Sequence, residues 1–160
     1  MCRGRADRLF VLKENPMKRF HVHLKVQDLP ASIAFYSRLF AAEPTRVEAD
    51  YAKWMLADPP VNFALSTGGA PGIDHLGIQA QNAEELAELK GRAAAADRAL
   101  LDEGATTCCY ARSEKHWITD PQGIAWEQFQ TLDSIPTFRE APPAADQAVC
   151  CTPRVRRARQ

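Results

Sequence analysis

A short segment of this chain occurs twice, at a constant offset of 54 residues. Residues 21–28 read HVHLKVQD and residues 75–82 read HLGIQAQN, so that His21 aligns with His75. Each copy ends in Asp or Asn, which are preferred residues at the N-cap of a helix. Each copy therefore predicts a strand that leads into a helix. Such a repeat indicates two similar supersecondary units that share one sheet or core.

The pattern of apolar residues extends both copies into larger units. In RFHVHLKV, apolar residues alternate with His21, His23 and Lys25, which is typical of a strand with one apolar and one polar face. The apolar stripe of the second helix runs as far as Leu100. Further strands are predicted at about 44–49, 51–57 and 61–67, and again at about 105–111, 114–119 and 124–131. The predicted fold class is α+β, with two βαβββ modules.

These patterns are confined to the middle of the chain. We expect a folded domain over 17–132, with modules at about 17–68 and 72–132, a disordered N-terminal appendage at 1–16 and a flexible tail at 133–160. Proline, alanine and arginine dominate that tail, which has little apolar surface to bury. The tail carries a cysteine pair, Cys150 and Cys151. A role in capturing a ligand and passing it inward, or no role at all, both stay open for this pair.

The charge balance argues against several classes of partner. Lysine and arginine together number 20, and aspartate and glutamate together also number 20. There is therefore no overall positive charge of the kind that favours binding to nucleic acid or an anionic membrane. No apolar run approaches the roughly 20 residues of a membrane span, and the N-terminus lacks the apolar core of a secretory signal. We expect a cytoplasmic protein whose thiols are kept reduced.

Two adjacent cysteines, Cys108 and Cys109, lie in the polar segment TTCCYARSEKHWITDP. Adjacent thiolates are poorly spaced for tetrahedral zinc. Trivalent arsenic is soft and trigonal, and it accepts two neighbouring sulfurs while keeping a third substituent. The alternative is that both are incidental small residues. Because strand alternation would send the two side chains to opposite faces, the arsenic interpretation predicts an irregular, mobile loop over about 104–112.

Three segments, FHVHLKVQDLPASIAFYSRLF, IDHLGIQAQN and DPQGIAWEQF, together resemble the vicinal oxygen chelate superfamily. This superfamily includes glyoxalase I, extradiol dioxygenases and fosfomycin-resistance enzymes. The resemblance implies a cupped mixed sheet around a metal cavity, with His21, His75 and Glu127 as ligands. Ala64 aligns where glyoxalase I enzymes carry a fourth ligand, which favours a three-ligand site. His23 is expected to face the same cavity, as a proton donor or as a residue that holds the ligands in place. The alternatives are a hydrogen-bonded cavity histidine without a catalytic role and a metal ligand in place of His21.

The segment TTCCYARSEKHWITDPQGIAWE resembles more narrowly the ArsI-type carbon–arsenic lyases, relatives of the cadmium-induced CadI proteins. This implies an Fe(II)-dependent dioxygenase that binds a trivalent methyl or aromatic arsenical through Cys108 and Cys109 and releases arsenite. The implied partners are the small-molecule organoarsenical and O2, with a monomer or homodimer. The alternatives are a non-catalytic cadmium- or arsenite-binding resistance protein and a fosfomycin-type thiol transferase.

Overall fold

A computed structural model describes residues 18–96 and 100–136 of the 160-residue chain. Its elements are β1 (Arg19–Lys25), α1 (Leu29–Phe40), β2 (Arg46–Val47), β3 (Tyr51–Leu56), β4 (Val61–Ser66), β5 (Gly72–Ala80), α2 (Ala83–Ala95), β6 (Leu101–Cys108), β7 (Ala111–Thr119) and β8 (Ala125–Ser134). The βαβββ order occurs twice, as predicted.

All eight strands form one curled mixed sheet in the order β2-β3-β4-β1-β5-β8-β7-β6. The first strands of the two modules, β1 and β5, pair antiparallel at its centre. Each first strand also pairs in parallel with the last strand of its own module, β1 with β4 and β5 with β8. The two modules are therefore related by an approximate twofold axis, and the repeat in the sequence becomes a repeat in space. The predicted cupped α+β fold is confirmed.

The helix starts follow from the two aligned cap residues. The Asp28 side chain accepts a hydrogen bond from the backbone nitrogen of Ala31, and the Asn82 side chain accepts one from that of Glu85. Each bond satisfies one of the free N–H groups in the first turn of a helix. These caps fix where the chain leaves β1 and β5, and hence how the two helices lie on the outer face.

The apolar core lies between the helices and the outer face of the sheet. In the first module α1 packs on a buried cluster made of Leu29, Ala52, Trp54, Phe63 and Leu65. In the second module α2 packs through Leu86 and Leu89 on Ala80. Burial of each large side chain stabilises the fold by about 1.5–3 kcal/mol.

The opposite, concave face buries polar side chains. They include His21, His23, Lys25, Asn62, Ser66, His75, Ser113, Lys115 and Glu127, none more than 8% exposed. Burial of polar groups costs free energy unless they form hydrogen bonds or ion pairs. A buried face of this composition therefore indicates a functional site.

Several boundaries differ from the predicted ones. Helix α2 ends at Ala95, although its apolar stripe continues to Leu100, and Leu101 already pairs with Trp117 of β7. Strand pairing therefore overrides the helical pattern there. The strand predicted at 44–49 is limited to β2. Neither helix within the described ranges is long and apolar enough to cross a bilayer.

The end of the folded domain also shifts. Strand β8 continues to Ser134, beyond the predicted limit of 132, because Ser134 pairs with Ala111 of β7. The N-terminal appendage and most of the tail, with Cys150 and Cys151, lie outside the described residues. The domain limits otherwise stay a prediction.

The irregular loop expected over 104–112 is wrong. This segment is the end of β6, a two-residue turn and the start of β7, with Cys108 paired to Ala111. The turn residues, Cys109 and Tyr110, both have positive φ, 54° and 61°. Positive φ at both central residues is the geometry of the tight hairpin turn that matches strand twist. Neither residue is the usual Gly or Asn, so the turn holds a strained backbone.

Candidate functional site

The concave face carries a partly open pocket with a cavity volume of about 30 Å³. It brings together the six residues that were predicted to form the site: His21, His23, His75, Cys108, Cys109 and Glu127. It is lined further by Tyr51, Lys53, Asn62, Ala111, Ser113, Lys115, Phe129 and Thr131. Two groups of different chemistry, imidazole with carboxylate and adjacent sulfurs, therefore share one cavity.

His21 and His75 turn their Nε2 atoms toward each other, 3.1 Å apart. The Nδ1 of His21 lies 2.9 Å from the backbone oxygen of Asn62, and the Nδ1 of His75 lies 2.8 Å from Asp74 Oδ2. Both partners only accept hydrogen bonds, so each Nδ1 carries a proton and each Nε2 presents a lone pair in the neutral ring. Two facing lone pairs require a cation between them, either a proton or a metal ion.

Glu127 adds a carboxylate to the two imidazoles. Its Oε2 lies 3.7 Å from His21 Nε2 and 3.4 Å from His75 Nε2. Metal–ligand bonds of 2.0–2.2 Å at right angles place neighbouring ligand atoms roughly 3 Å apart. The donor set and its spacing therefore fit one metal ion, with room for further ligands from the cavity.

Gly77 allows the close approach that places Glu127. It pairs with Glu127 in the register of β5 and β8. A Cβ atom at Gly77 would lie 2.3 Å from the Glu127 backbone oxygen. A side chain is therefore excluded at Gly77, and glycine is needed for packing rather than for its backbone angles.

His23 forms a second possible triad with the other two histidines, because ligand atoms of His21, His23 and His75 all lie within 4.8 Å of one another. Its Nε2, however, lies 2.8 Å from the hydroxyl of Ser66, which also accepts a hydrogen bond from Lys25. This engagement distinguishes His23 from the two histidines whose Nε2 atoms face Glu127. The geometry favours a polar neighbour of the metal position.

Burial and charge set the protonation of the site. Burial, with His75 nearby, lowers the pKa of His21 to about 4, despite Glu127. Burial also lowers the pKa of His75, but hydrogen bonds to Asp74 and Glu127 outweigh it and leave that pKa raised. Burial raises the pKa of Glu127, but Lys115 and the two histidines hold it well below its ordinary value. An ionised carboxylate and a neutral His21 are the forms that ligate metal.

Lys115 was not identified from the sequence. Its ammonium group lies 2.6 Å from Glu127 Oε1, with both side chains buried. The contact occupies one carboxylate oxygen and leaves Oε2 toward the histidines. Alternation in RSEKHWIT, which puts Ser113, Lys115 and Trp117 on one face, was a usable signal for it. No comparable sequence signal marks the Asn62 backbone oxygen.

The two sulfurs of the cysteine pair lie 3.2 Å apart. Strand alternation does not separate them, because Cys108 ends β6 and Cys109 begins the turn with positive φ. Cys108 is disulfide-bonded, and the separation is too long for a bond to Cys109. Any role that needs two thiolates therefore requires reduction of this disulfide first.

The turn that carries Cys109 is fixed to the far end of the sheet. Arg46 donates hydrogen bonds to the backbone oxygens of Tyr110 and Ile135, at 3.0 and 2.8 Å. The Tyr110 hydroxyl donates to Asp50 at 2.6 Å. Contacts between β2, the β2–β3 connection and the hairpin turn thus close the curled sheet over the cavity.

Comparison with known proteins agrees with this architecture. A family model described as "Glyoxalase/Bleomycin resistance protein/Dioxygenase superfamily" matches residues 18–128. Among solved structures, the 2,3-dioxygenase LapB from Pseudomonas sp. KL28 has a TM-score of 0.56 at 18% identity, covering 73% of this chain and 42% of that chain. The chain belongs to the Glyoxalase/Bleomycin resistance protein/Dioxygenase superfamily and has the vicinal oxygen chelate fold.

Two relatives are more similar in sequence. A "Trivalent organoarsenical cleaving enzyme" from Bacillus sp. (strain MD1) is 41% identical over 150 residues, which cover 86% of this chain and 92% of that protein. The "Cadmium-induced protein CadI" of Mycobacterium tuberculosis (strain ATCC 25618 / H37Rv) is 36% identical over 144 residues, which cover 84% of this chain and 93% of that protein.

Proposed function

We propose that this protein is a carbon–arsenic lyase of the Fe(II)-dependent dioxygenase type, which degrades trivalent organoarsenicals to arsenite and confers resistance to them. The observation that carries the proposal is that the Cys108–Cys109 pair opens into the same cavity as His21, His75 and Glu127. The similarity to an organoarsenical cleaving enzyme over most of both chains supports it.

The proposed metal ligands are His21 Nε2, His75 Nε2 and Glu127 Oε2. Two imidazoles and one carboxylate with open positions suit non-haem Fe(II). Bound there, Fe(II) would supply the electrons that make O2 reactive. The protein's part is to hold the ligands: Asp74 orients the ring of His75, and the backbone of Asn62 orients that of His21.

The proposed role of Cys108 and Cys109 is to hold the arsenic atom. Each thiol replaces one hydroxyl group on trivalent arsenic, so one As–S bond forms and one water molecule leaves. The second sulfur reacts at high effective concentration once the first has bound. The dithiolate keeps the arsenic at the cavity wall and leaves its organic substituent, with the bond to be cleaved, inside the cavity.

His23 is proposed as the catalytic proton donor and acceptor. It is 1% exposed and packs edge-on against His75, with ring centroids 4.8 Å apart. The Nε2 atom of His23 is hydrogen-bonded to the hydroxyl of Ser66, and Lys25 donates a hydrogen bond to the same hydroxyl. Burial lowers the pKa of His23 well below its ordinary value, and His75 and His21 lower it further. A neutral imidazole beside the metal position both accepts and gives back a proton during turnover.

A second candidate function is binding of cadmium or arsenite without catalysis. The similarity to a protein named for induction by cadmium favours it, and adjacent thiolates are soft ligands for Cd²⁺. The two candidates differ in one observable: a sequestering protein consumes no oxygen when it is given an organoarsenical.

Replacement of each proposed ligand tests the metal centre. Full-length protein should bind one Fe(II) per chain, and His21→Ala, His75→Ala and Glu127→Ala should each lose both Fe(II) binding and turnover of trivalent methylarsenical. His23→Ala is the matched variant and should keep Fe(II) with about 10–100-fold lower activity. Loss of iron from His23→Ala, or normal binding by Glu127→Ala, would show that the ligand set is misassigned.

A further inference from the structure

A lysine lies on the first-module side of the cavity, and no carboxylate among residues 18–96 and 100–136 forms an ion pair with it. Lys53 lines the cavity and is directly opposite Ala64 in the pairing of β3 with β4. Directly opposite residues share one face of a sheet. No ion pair joins the ammonium group of Lys53 to a carboxylate anywhere in the described ranges.

The module repeat explains the missing partner. In the parallel pairs, Ala64 lies beside His23 and Glu127 lies beside Gly77. Because His23 and Gly77 are 54 residues apart, Ala64 is the counterpart of Glu127. The second module balances its cavity lysine with a carboxylate, and the first module has a methyl group at the corresponding position.

A second, independent feature lies in the same cavity, two residues along β4 from the partner of Lys53. Asn62 is 3% exposed, lines the cavity and donates through Nδ2 to Gln79 at 3.0 Å, but its Oδ1 has no hydrogen-bond partner. A buried acceptor without a partner is destabilising, because it has lost its hydrogen bonds to water. Such a group is retained at a functional site when a ligand provides the missing donor.

The surroundings of Lys53 are consistent with an anion from outside the chain. Burial lowers its pKa and the charge of Arg46 lowers it further, whereas Cys109 raises it. Cys109 is a proposed arsenic ligand, and Lys53 lines the same cavity as Cys109.

We propose that Lys53 and Asn62 form a subsite for the organic substituent, which selects aromatic trivalent arsenicals carrying a carboxylate. Lys53 binds the carboxylate, and Asn62 Oδ1 accepts a hydrogen bond from a neighbouring hydroxyl or amino group on the ring. This inference rests on the proposed function in one respect, that the two thiols hold the arsenic, and it specifies the substrate class for the same cavity.

The test compares three trivalent arsenicals: methyl, phenyl and 4-carboxyphenyl. Their affinities are measured on reduced, Fe(II)-loaded full-length protein without oxygen, so that binding is observed apart from cleavage. The parent should bind the carboxyphenyl compound about tenfold more tightly than the phenyl compound, as a charge-assisted hydrogen bond predicts. Lys53→Met should abolish this preference and leave the methyl and phenyl affinities unchanged, and Lys53→Arg should keep part of it.

Lys18→Met is the matched control, because Lys18 pairs with Glu88 on the surface, away from the cavity. It should retain the full preference. Equal affinity of the parent for the phenyl and carboxyphenyl compounds would overturn the subsite. So would a Lys53→Met variant that weakens all three compounds alike, since Lys53 would then act on the thiols. If the preference is found but oxygen releases no arsenite, the subsite stands and the proposed lyase activity fails.

Discussion

Arg46 donates a hydrogen bond to the backbone oxygen of Tyr110 at 3.0 Å, and its guanidinium lies 4.7 Å from the centroid of the Tyr110 ring. Arg46 lies in β2 and Tyr110 lies in the turn that follows β6, and β2 and β6 are the outermost strands of the sheet. One arginine therefore joins the first module to the turn that carries Cys109. We expect the position of the two sulfurs in the cavity to depend on this contact.

Replacement of Arg46 with Met should loosen the turn without changing the metal ligands. We expect about tenfold weaker binding of trivalent methylarsenical, since hydrogen bonds to charged groups contribute about 1.5–3 kcal/mol. Fe(II) affinity should be unchanged. Arg92→Met, which removes an exposed arginine on α2, is the matched control and should behave as the parent. Unaltered arsenical affinity in Arg46→Met, measured by anaerobic titration, would show that the turn holds its position without Arg46.

Gly77→Ala should displace β8 at Glu127, because the new methyl group would lie 2.3 Å from the Glu127 backbone oxygen. We expect lower thermal stability together with loss of Fe(II) binding. Gly91→Ala is the matched control: nothing lies within 4 Å of its Cβ position, and alanine in a helix should stabilise by about 0.5–1 kcal/mol. Calorimetry and iron titration on both variants check this, and normal iron binding by Gly77→Ala would contradict it.

Lys115→Met should leave Glu127 as a buried carboxylate without its ion-pair partner. Breaking a buried pair from one side costs about 3–5 kcal/mol, so the melting temperature of the metal-free protein should fall markedly. The double variant Lys115→Met, Glu127→Gln should recover much of that loss, because no buried charge remains. Equal stability of Lys115→Met and its parent in thermal melts would mean that the pair is solvated and does not hold Glu127.

The depressed pKa of Glu127 has a consequence for acid stability. Its folded-state pKa lies well below its ordinary value, so its contribution is present above the unfolded pKa of about 4.3 and is lost as pH falls through the folded pKa. Metal-free parent protein should therefore lose stability on acidification below about pH 4.3, and Glu127→Gln should lose less over the same window. Parallel pH profiles of the free energy of unfolding would contradict this.

The sequence predicted the architecture because the two modules encode it locally. The offset between His21 and His75 located the first strand of each module, and the caps at Asp28 and Asn82 located both helices. Boundaries failed where pairing between distant strands overrides the local pattern. The apolar stripe that continues to Leu100 is an example, because the next residue belongs to a β-ladder.

The sequence also predicted site residues that line one cavity, because alternation along a strand determines which side chains share a face. It missed contacts that depend on the curl of the sheet, such as the salt bridge between Lys115 and Glu127 and the contact of Arg46 with Tyr110. The expectation of an irregular loop around the cysteines failed for a different reason. Two non-glycine residues at positive φ make a tight turn there, which sequence preferences for such turns do not indicate.

Reduced Cys108→Ser and Cys109→Ser variants should each lose turnover of trivalent methylarsenical and keep Fe(II), because the thiols are proposed as ligands of arsenic and not of iron. Loss of one sulfur removes the chelate and should cost far more than half the affinity. The Cys150→Ser, Cys151→Ser double variant is the control and should keep most of its activity at saturating substrate. Loss of iron from the first two variants would show that the metal site is misplaced.

The proposed lyase activity is tested by the yield of arsenite from trivalent methylarsenical, with and without O2, on reduced, Fe(II)-loaded full-length protein. We expect one arsenite released per arsenical consumed, only when O2 is present, and none from Cys108→Ser under the same conditions. Binding of the arsenical with no arsenite release in the presence of O2 would contradict the lyase assignment. Equal release by Cys108→Ser would contradict the role of the cysteine pair.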